Sequence, residues 1–176
     1  PSPTARLMDA LIYGSLRRHA DLIPLYHDLH IFHARSALPI AVFTRLGCHT
    51  TAAVTALEKA ALITCSNGLI VLHDLHREFL ARSLSADVVK ERHAEIVAQF
   101  GLQSGPVTKE VLRKLLYPPT GKDDATIVYE YTHLREYVLQ NYVWHLCMAG
   151  HETRAAQLLF SFAWIRAVVS ASKGHN

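Results

Sequence analysis

Residues 62–79 read LITCSNGLIVLHDLHREF. Two apolar runs, Leu62-Ile63-Thr64-Cys65 and Leu69-Ile70-Val71-Leu72, flank Ser66-Asn67-Gly68. Asn-Gly supplies the positive φ angles of a tight turn, so the stretch predicts a β-hairpin. His73-Asp74 follows the second run directly, and then a helix with Leu75, Phe79 and Leu80 on one face. Asp74 is placed to cap the first N–H groups of that helix. A corner where a strand ends and a helix begins favours anions.

Upstream, Thr4 can cap a helix whose Leu7, Met8, Leu11, Ile12 and Leu16 recur at helical spacing, with Arg17-Arg18-His19 at its end. From Leu22 the pattern predicts a short helix or turn to Pro24. An extended piece with Leu29 and Ile31 inward is expected after it. Pro39 suits the first position of a helix carrying Ile40, Phe43 and Leu46, which Gly47 stops. Thr50 can cap the next, with Ala53, Val54, Leu57 and Ala60 or Ala61 inward. Helix, helix, hairpin, helix is the winged-helix order, expected over residues 1–84.

Residues 85–176 predict an α-helical bundle or solenoid arm, so the whole chain is expected to be mainly α. Ser85 or Asp87 opens a helix with Val88, Val89, Ile96, Val97 and Phe100, closed by Gly101. Gly105-Pro106 starts a shorter one around Val111, Leu112, Leu115 and Leu116, and Lys122-Asp123-Asp124 is a polar loop. Leu134, Tyr137, Val138, Tyr142 and Leu146 form the longest stripe, stopped by Gly150. Ala155, Leu158, Leu159 and Phe162 continue to Trp164 and Ile165, and a three-residue connection predicts antiparallel packing.

A strand ending in Leu72-His73-Asp74, then Leu75-x-x-x-Phe79-Leu80, resembles the MHD motif that closes the winged-helix domain of NB-ARC (STAND-class) ATPases. Further pieces fall in the family's order: Tyr26-x-Asp28-Leu29-x-Ile31, Pro39, Ile96-Val97-x-Gln99-Phe100, and Leu158-Leu159-Phe160-Ser161-x-x-Trp164-Ile165-Arg166-Ala167. The resemblance implies a regulatory segment that links a nucleotide-binding module to C-terminal sensor repeats. His73 would contact the β-phosphate of ADP, supported by Leu72 and Asp74. ADP or ATP would belong to the full-length parent only. The implied partners are the parent's own nucleotide-binding domain and sensor repeats, with homo-oligomers on activation. Ala61 stands where the resemblance has a Ser that also approaches the nucleotide.

Half of the 176 residues are hydrophobic and 19% charged, an ordinary globular composition. Cys48, Cys65 and Cys147 are odd in number and widely spaced, which predicts reduced thiols and a cytoplasmic protein. The first residues show no signal peptide and no initiator Met, so a piece of a longer protein is expected. No apolar run approaches the roughly 20 residues of a membrane span, and no membrane partner is expected.

Three other constellations compete. His27-x-x-His30-x-x-His33 lacks a Cys or a second carboxylate beside Asp28, so surface histidines without a metal are expected. Glu91 and Glu95 sit beside Lys90 and Arg92 and read as a solvated face. A nucleic-acid-binding regulator is the alternative function. Its recognition helix would be residues 50–59, with one Lys, one Glu, and no Arg, Asn or Gln for base edges, so no DNA partner is expected. A helical interaction scaffold is the third reading. No GxxxxGK[ST] loop occurs, so no nucleotide hydrolysis is expected of this chain by itself.

Overall fold

The structure, a computed structural model, describes residues 3–32, 38–47, 49–100, 102, 105, 108, 110, 112–113 and 125–172. It is mainly helical, with one small antiparallel sheet among the described residues. The chain divides into two compact units, Pro1–Val88 and Val89–Asn176. The division falls in the first turn of a helix that begins at Ala86, a few residues beyond the expected 84/85.

The first unit opens with α1 (Pro3–Arg18), a 3-10 turn (Ala20–Leu22) and α2 (Ile23–Ile31). α1 buries Ile12 and Leu16 but leaves Leu7 and Leu11 exposed, so only part of its apolar stripe faces inward. Tyr13 packs edge-on against Phe79 at 5.0 Å, and Arg82 holds Asp9 at 2.7 Å. The expected extended piece at Leu29 and Ile31 is helix instead. Pro24 lies in the first turn of α2, where a missing N–H costs nothing, and Tyr26, Asp28, Leu29 and Ile31 are all buried.

Next come β1 (Leu38–Pro39), α3 (Ile40–Leu46), α4 (Thr51–Lys59), β2 (Thr64–Ser66), β3 (Leu69–Val71) and α5 (Asp74–Ser83). Pro39 is the N-cap of α3 rather than its first helical residue. Thr50 caps α4 as expected, its hydroxyl accepting from the Ala53 N–H at 3.2 Å. The sheet order is β1-β3-β2, with Cys65 opposite Ile70 and Leu38 also opposite Ile70. Asn67 (φ 51°) and Gly68 (φ 75°) make the two-residue turn with both angles positive. The Gly68 carbonyl accepts from the Ile40 N–H at 2.9 Å, which ties the turn to the start of α3. Val42, Phe43, Leu57, Leu62, Ile70 and Leu80 fill the core beneath. Each contributes roughly 1.5–3 kcal/mol by leaving water.

The second unit holds most of α6 (Ala86–Gln99), then α7 (Ala125–Met148), α8 (Glu152–Leu159) and α9 (Phe162–Ser172). The helix expected near 111–116 and the loop at 122–124 lie mostly outside the described residues. Leu134, Tyr137, Val138, Tyr142 and Leu146 of α7 are all buried, as the stripe predicts. Tyr142 meets Phe100 at 5.4 Å and Trp164 at 6.0 Å, and its hydroxyl donates to the Val97 carbonyl at 3.4 Å. Burial pushes its ionisation well above the ordinary tyrosine range. Arg154 donates to the carbonyls of Leu102 (2.7 Å) and Gly105 (2.9 Å). The last stripe breaks into two helices around Ser161. Ala155, Leu158 and Trp164 go inward, while Leu159, Phe162 and Ile165 stay exposed.

Two helices end in the same way with different residues. After α4, the Leu62 N–H reaches the Leu57 carbonyl at 3.1 Å and the Ala61 N–H reaches Glu58 at 2.9 Å. After α7, His151 reaches Leu146 at 2.8 Å and Gly150 reaches Cys147 at 3.0 Å. Both are Schellman ends, with Ala61 (φ 57°) and Gly150 (φ 81°) in the left-handed position. Glycine suits that position and alanine does not. Ala61→Gly should therefore stabilise the first unit by about 0.5–1 kcal/mol. Gly150→Ala should destabilise the second by about 1 kcal/mol, with the Lys90 side chain, 3.0 Å from the new Cβ, forced to move. Urea midpoints of the two variants check both signs; a loss of stability in Ala61→Gly would contradict the left-handed end at α4.

Candidate functional site

β3 ends at Val71, the buried Leu72 anchors the chain, and His73 stands exposed as the N-cap of α5. The cap is therefore His73 and not Asp74. A histidine ring performs it because Nδ1 has a lone pair at the reach where Asn or Asp would place an oxygen. His73 Nδ1 accepts the Leu75 N–H at 3.2 Å, and the His73 carbonyl takes the His76 N–H at 2.9 Å and that of Arg77 at 3.2 Å. Asp74 is the first helical residue; its carboxylate is exposed and 3.8 Å from Arg77.

This arrangement assigns the neutral tautomer. With Nδ1 occupied as an acceptor, the proton sits on Nε2, and Nε2–H is a donor for an external acceptor. The corner offers fewer bare N–H groups than the sequence suggests, since the ring and the His73 carbonyl already engage three of them. What it presents to an anion is chiefly the imidazole donor beside the positive end of α5.

Behind His73, one turn along α5, lies His76, which sequence reasoning did not single out. Its Nδ1 is 2.7 Å from the hydroxyl of Tyr26, a fully buried residue of α2, and the rings meet edge-on at 5.8 Å. Burial raises the Tyr26 ionisation far above the ordinary range, so the phenol keeps its proton in this bond. Burial lowers the pKa of His76, and the neighbouring His73 lowers it further. The i, i+3 spacing places His76 one turn from His73, but nothing local marks its contact with Tyr26.

The remaining candidates disperse. His27 and His30 lie half-buried on α2, both with lowered pKa through burial, and His33 lies outside the described residues. Among the described residues no group of His, Cys, Asp and Glu could hold a metal ion. Asp28 instead meets His49 Nε2 at 2.9 Å, joining α2 to the connection between α3 and α4. Glu95 pairs with Arg92 at 2.7 Å and Glu91 is exposed, as a solvated face requires. Cys65 and Cys147 are free thiols, Cys65 half-buried and Cys147 exposed. On α4 the exposed side chains include Thr51, Ala52, Thr55, Glu58 and Lys59, and the turn at 66–68 is exposed without a cation. Among the described residues no single helix is long and apolar enough to cross a membrane.

Compared with known proteins, the chain matches no family model, no curated protein and no solved structure.

Proposed function

We propose that this chain is the winged-helix and helical-arm segment of an NB-ARC-type (STAND-class) signalling ATPase, and that His73 senses ADP held by the parent's nucleotide-binding domain. The observation that carries this is the junction itself: an exposed imidazole capping α5, with Nδ1 bound inward and Nε2–H left to donate. The connectivity supports it too. The order α2-β1-α3-α4-β2-β3, with β1 beside β3 in a three-stranded sheet, is compatible with a winged helix. A second unit built of α6 to α9 is compatible with an arm that carries the sensor's state.

Residues 1–84 would then dock on the nucleotide in the closed state and swing away when ADP leaves. The segment would regulate rather than catalyse, since its sequence has no P-loop. ADP or ATP, the sensor repeats and homo-oligomers would all be matters of the full-length parent, in the cytoplasm.

The parent's reading frame upstream of residue 1 tests this: a P-loop and an NB-ARC core there support it, and a frame lacking both contradicts it. Duplex DNA separates the alternative regulator. With Lys59 and Glu58 side by side on exposed α4, binding to random duplex should be weak at physiological salt, with a shallow salt slope. Nanomolar, sequence-selective binding would put the nucleic-acid reading first.

A further inference from the structure

His93 of α6 and His145 of α7 lie 52 residues apart in sequence and are each 1% exposed. Their Nδ1 atoms are 2.8 Å apart. Two ring nitrogens at that distance share one proton, one donating and the other accepting. His145 continues the chain through Nε2 to the Tyr137 hydroxyl at 2.9 Å. Trp144 packs edge-on against His93 at 4.6 Å and lies tilted beside His145 at 4.8 Å, flanking the pair with an indole.

We infer that this histidine pair is a proton-operated latch between α6 and α7, closed while the two Nδ1 atoms share one proton and opened by acid. It stands on the second unit alone and does not depend on the nucleotide reading. Both rings can be neutral with these two bonds made: His145 Nδ1–H donates to His93 while Tyr137 donates to Nε2, or every bond reverses. One added proton can still be carried by His145, with Nδ1–H to His93 and Nε2–H to Tyr137. A second would set N–H against N–H at 2.8 Å, inside a site closed to water.

Other titratable and charged groups lie on the same helices and on α8. Lys90, one turn before His93, lies with its ammonium end against Gly150 at the end of α7 and adds positive charge. Arg154 of α8 acts on Tyr142, and Arg92 with Glu95 forms an exposed ion pair on α6. His133 and Glu136 lie 3.9 Å apart on α7, in the turn before Tyr137.

The sign follows directly. In the opened chain both imidazoles protonate near pH 6.5, whereas the closed pair resists at least the second proton. The closed unit thus binds fewer protons, so its stability is complete above about pH 6.5 and falls as pH drops. Each unit below that range multiplies the ratio of open to closed molecules about tenfold.

Both tryptophans, Trp144 and Trp164, belong to this unit, so their fluorescence reports it separately from His27, His30 and His76 of the first. Urea unfolding of the full chain, followed by tryptophan fluorescence from pH 7.5 to 5.0, should show that tenfold change per unit below about 6.5. His93→Asn, which keeps a bonding group near Nδ1 but cannot titrate, should flatten it. A wild-type transition independent of pH, or a full slope retained in His93→Asn, overturns the latch. If His93→Asn does not fold, nitrogen-detected titration of the wild-type rings decides. Two rings that each take up a full proton while the fluorescence stays native overturn it; a second proton taken up only on opening supports it.

Discussion

On the proposed nucleotide-sensing reading, full-length parent protein carrying His73→Ala is expected to release ADP about ten- to a hundredfold faster than wild type and to assemble or signal without ligand. The reason is the tautomer imposed by the N-cap. His73 Nδ1 is held by the Leu75 N–H, so Nε2–H is the group that would reach a phosphate oxygen. A hydrogen bond to a charged group contributes about 1.5–3 kcal/mol, and this one would form only with the first unit docked. Losing it shifts the closed-to-open balance by that ten- to hundredfold. The same substitution removes the cap of α5, which costs about 0.5–2 kcal/mol of fold stability. His73→Ser separates the two effects, because serine caps well but is too short to replace the imidazole donor.

The second large effect is expected from Gly47→Ala, at the end of α3. Its φ of −82° is open to any residue, so conformation is not the obstacle. A Cβ there would sit 2.6 Å from the Phe43 carbonyl oxygen and closer still to Cδ2 of His49. Phe43 is fully buried, its ring tilted beside His49 at 4.7 Å and edge-on to Phe32 at 5.6 Å. Moving His49 breaks its 2.9 Å bond to Asp28, a buried carboxylate of α2. Overpacking and the weakened charged bond together should destabilise the first unit by about 2–5 kcal/mol. Amide exchange in α2 and α4 reads this directly. Protection equal to wild type would contradict the packing around His49.

The elements with local signals were legible in the sequence, and the others were not. Asn67-Gly68 fixed a turn, Thr50 a cap and Gly150 a helix end, because each residue type answers a backbone demand within four positions. The α7 stripe was legible because one face is apolar and packed. α2 was misread because Tyr26, Asp28, Leu29 and Ile31 are all buried, and a helix buried around most of its girth loses the 3.6-residue signal. On α1 and α9, apolar residues mark more than one face. Only packing decides that Ile12 and Trp164 go inward while Leu11 and Phe162 stay out.

The candidate site divides the same way. The place of His73 between a strand and a helix was legible, but the cap was assigned to Asp74, the residue type that usually performs it. His76 with Tyr26, and His93 with His145, were invisible because their partners lie 50 and 52 positions away. A polar residue in an apolar stripe announces nothing until folding supplies its mate.

The dissociation rate of ADP from the full-length parent, measured beside the thermal midpoint for wild type and His73→Ser, tests the central claim most directly. A midpoint within a few degrees of wild type and ADP release about ten- to a hundredfold faster is the result expected of a nucleotide-sensing His73. An unchanged dissociation rate in a stably folded His73→Ser would contradict it and leave His73 as the cap of α5 alone.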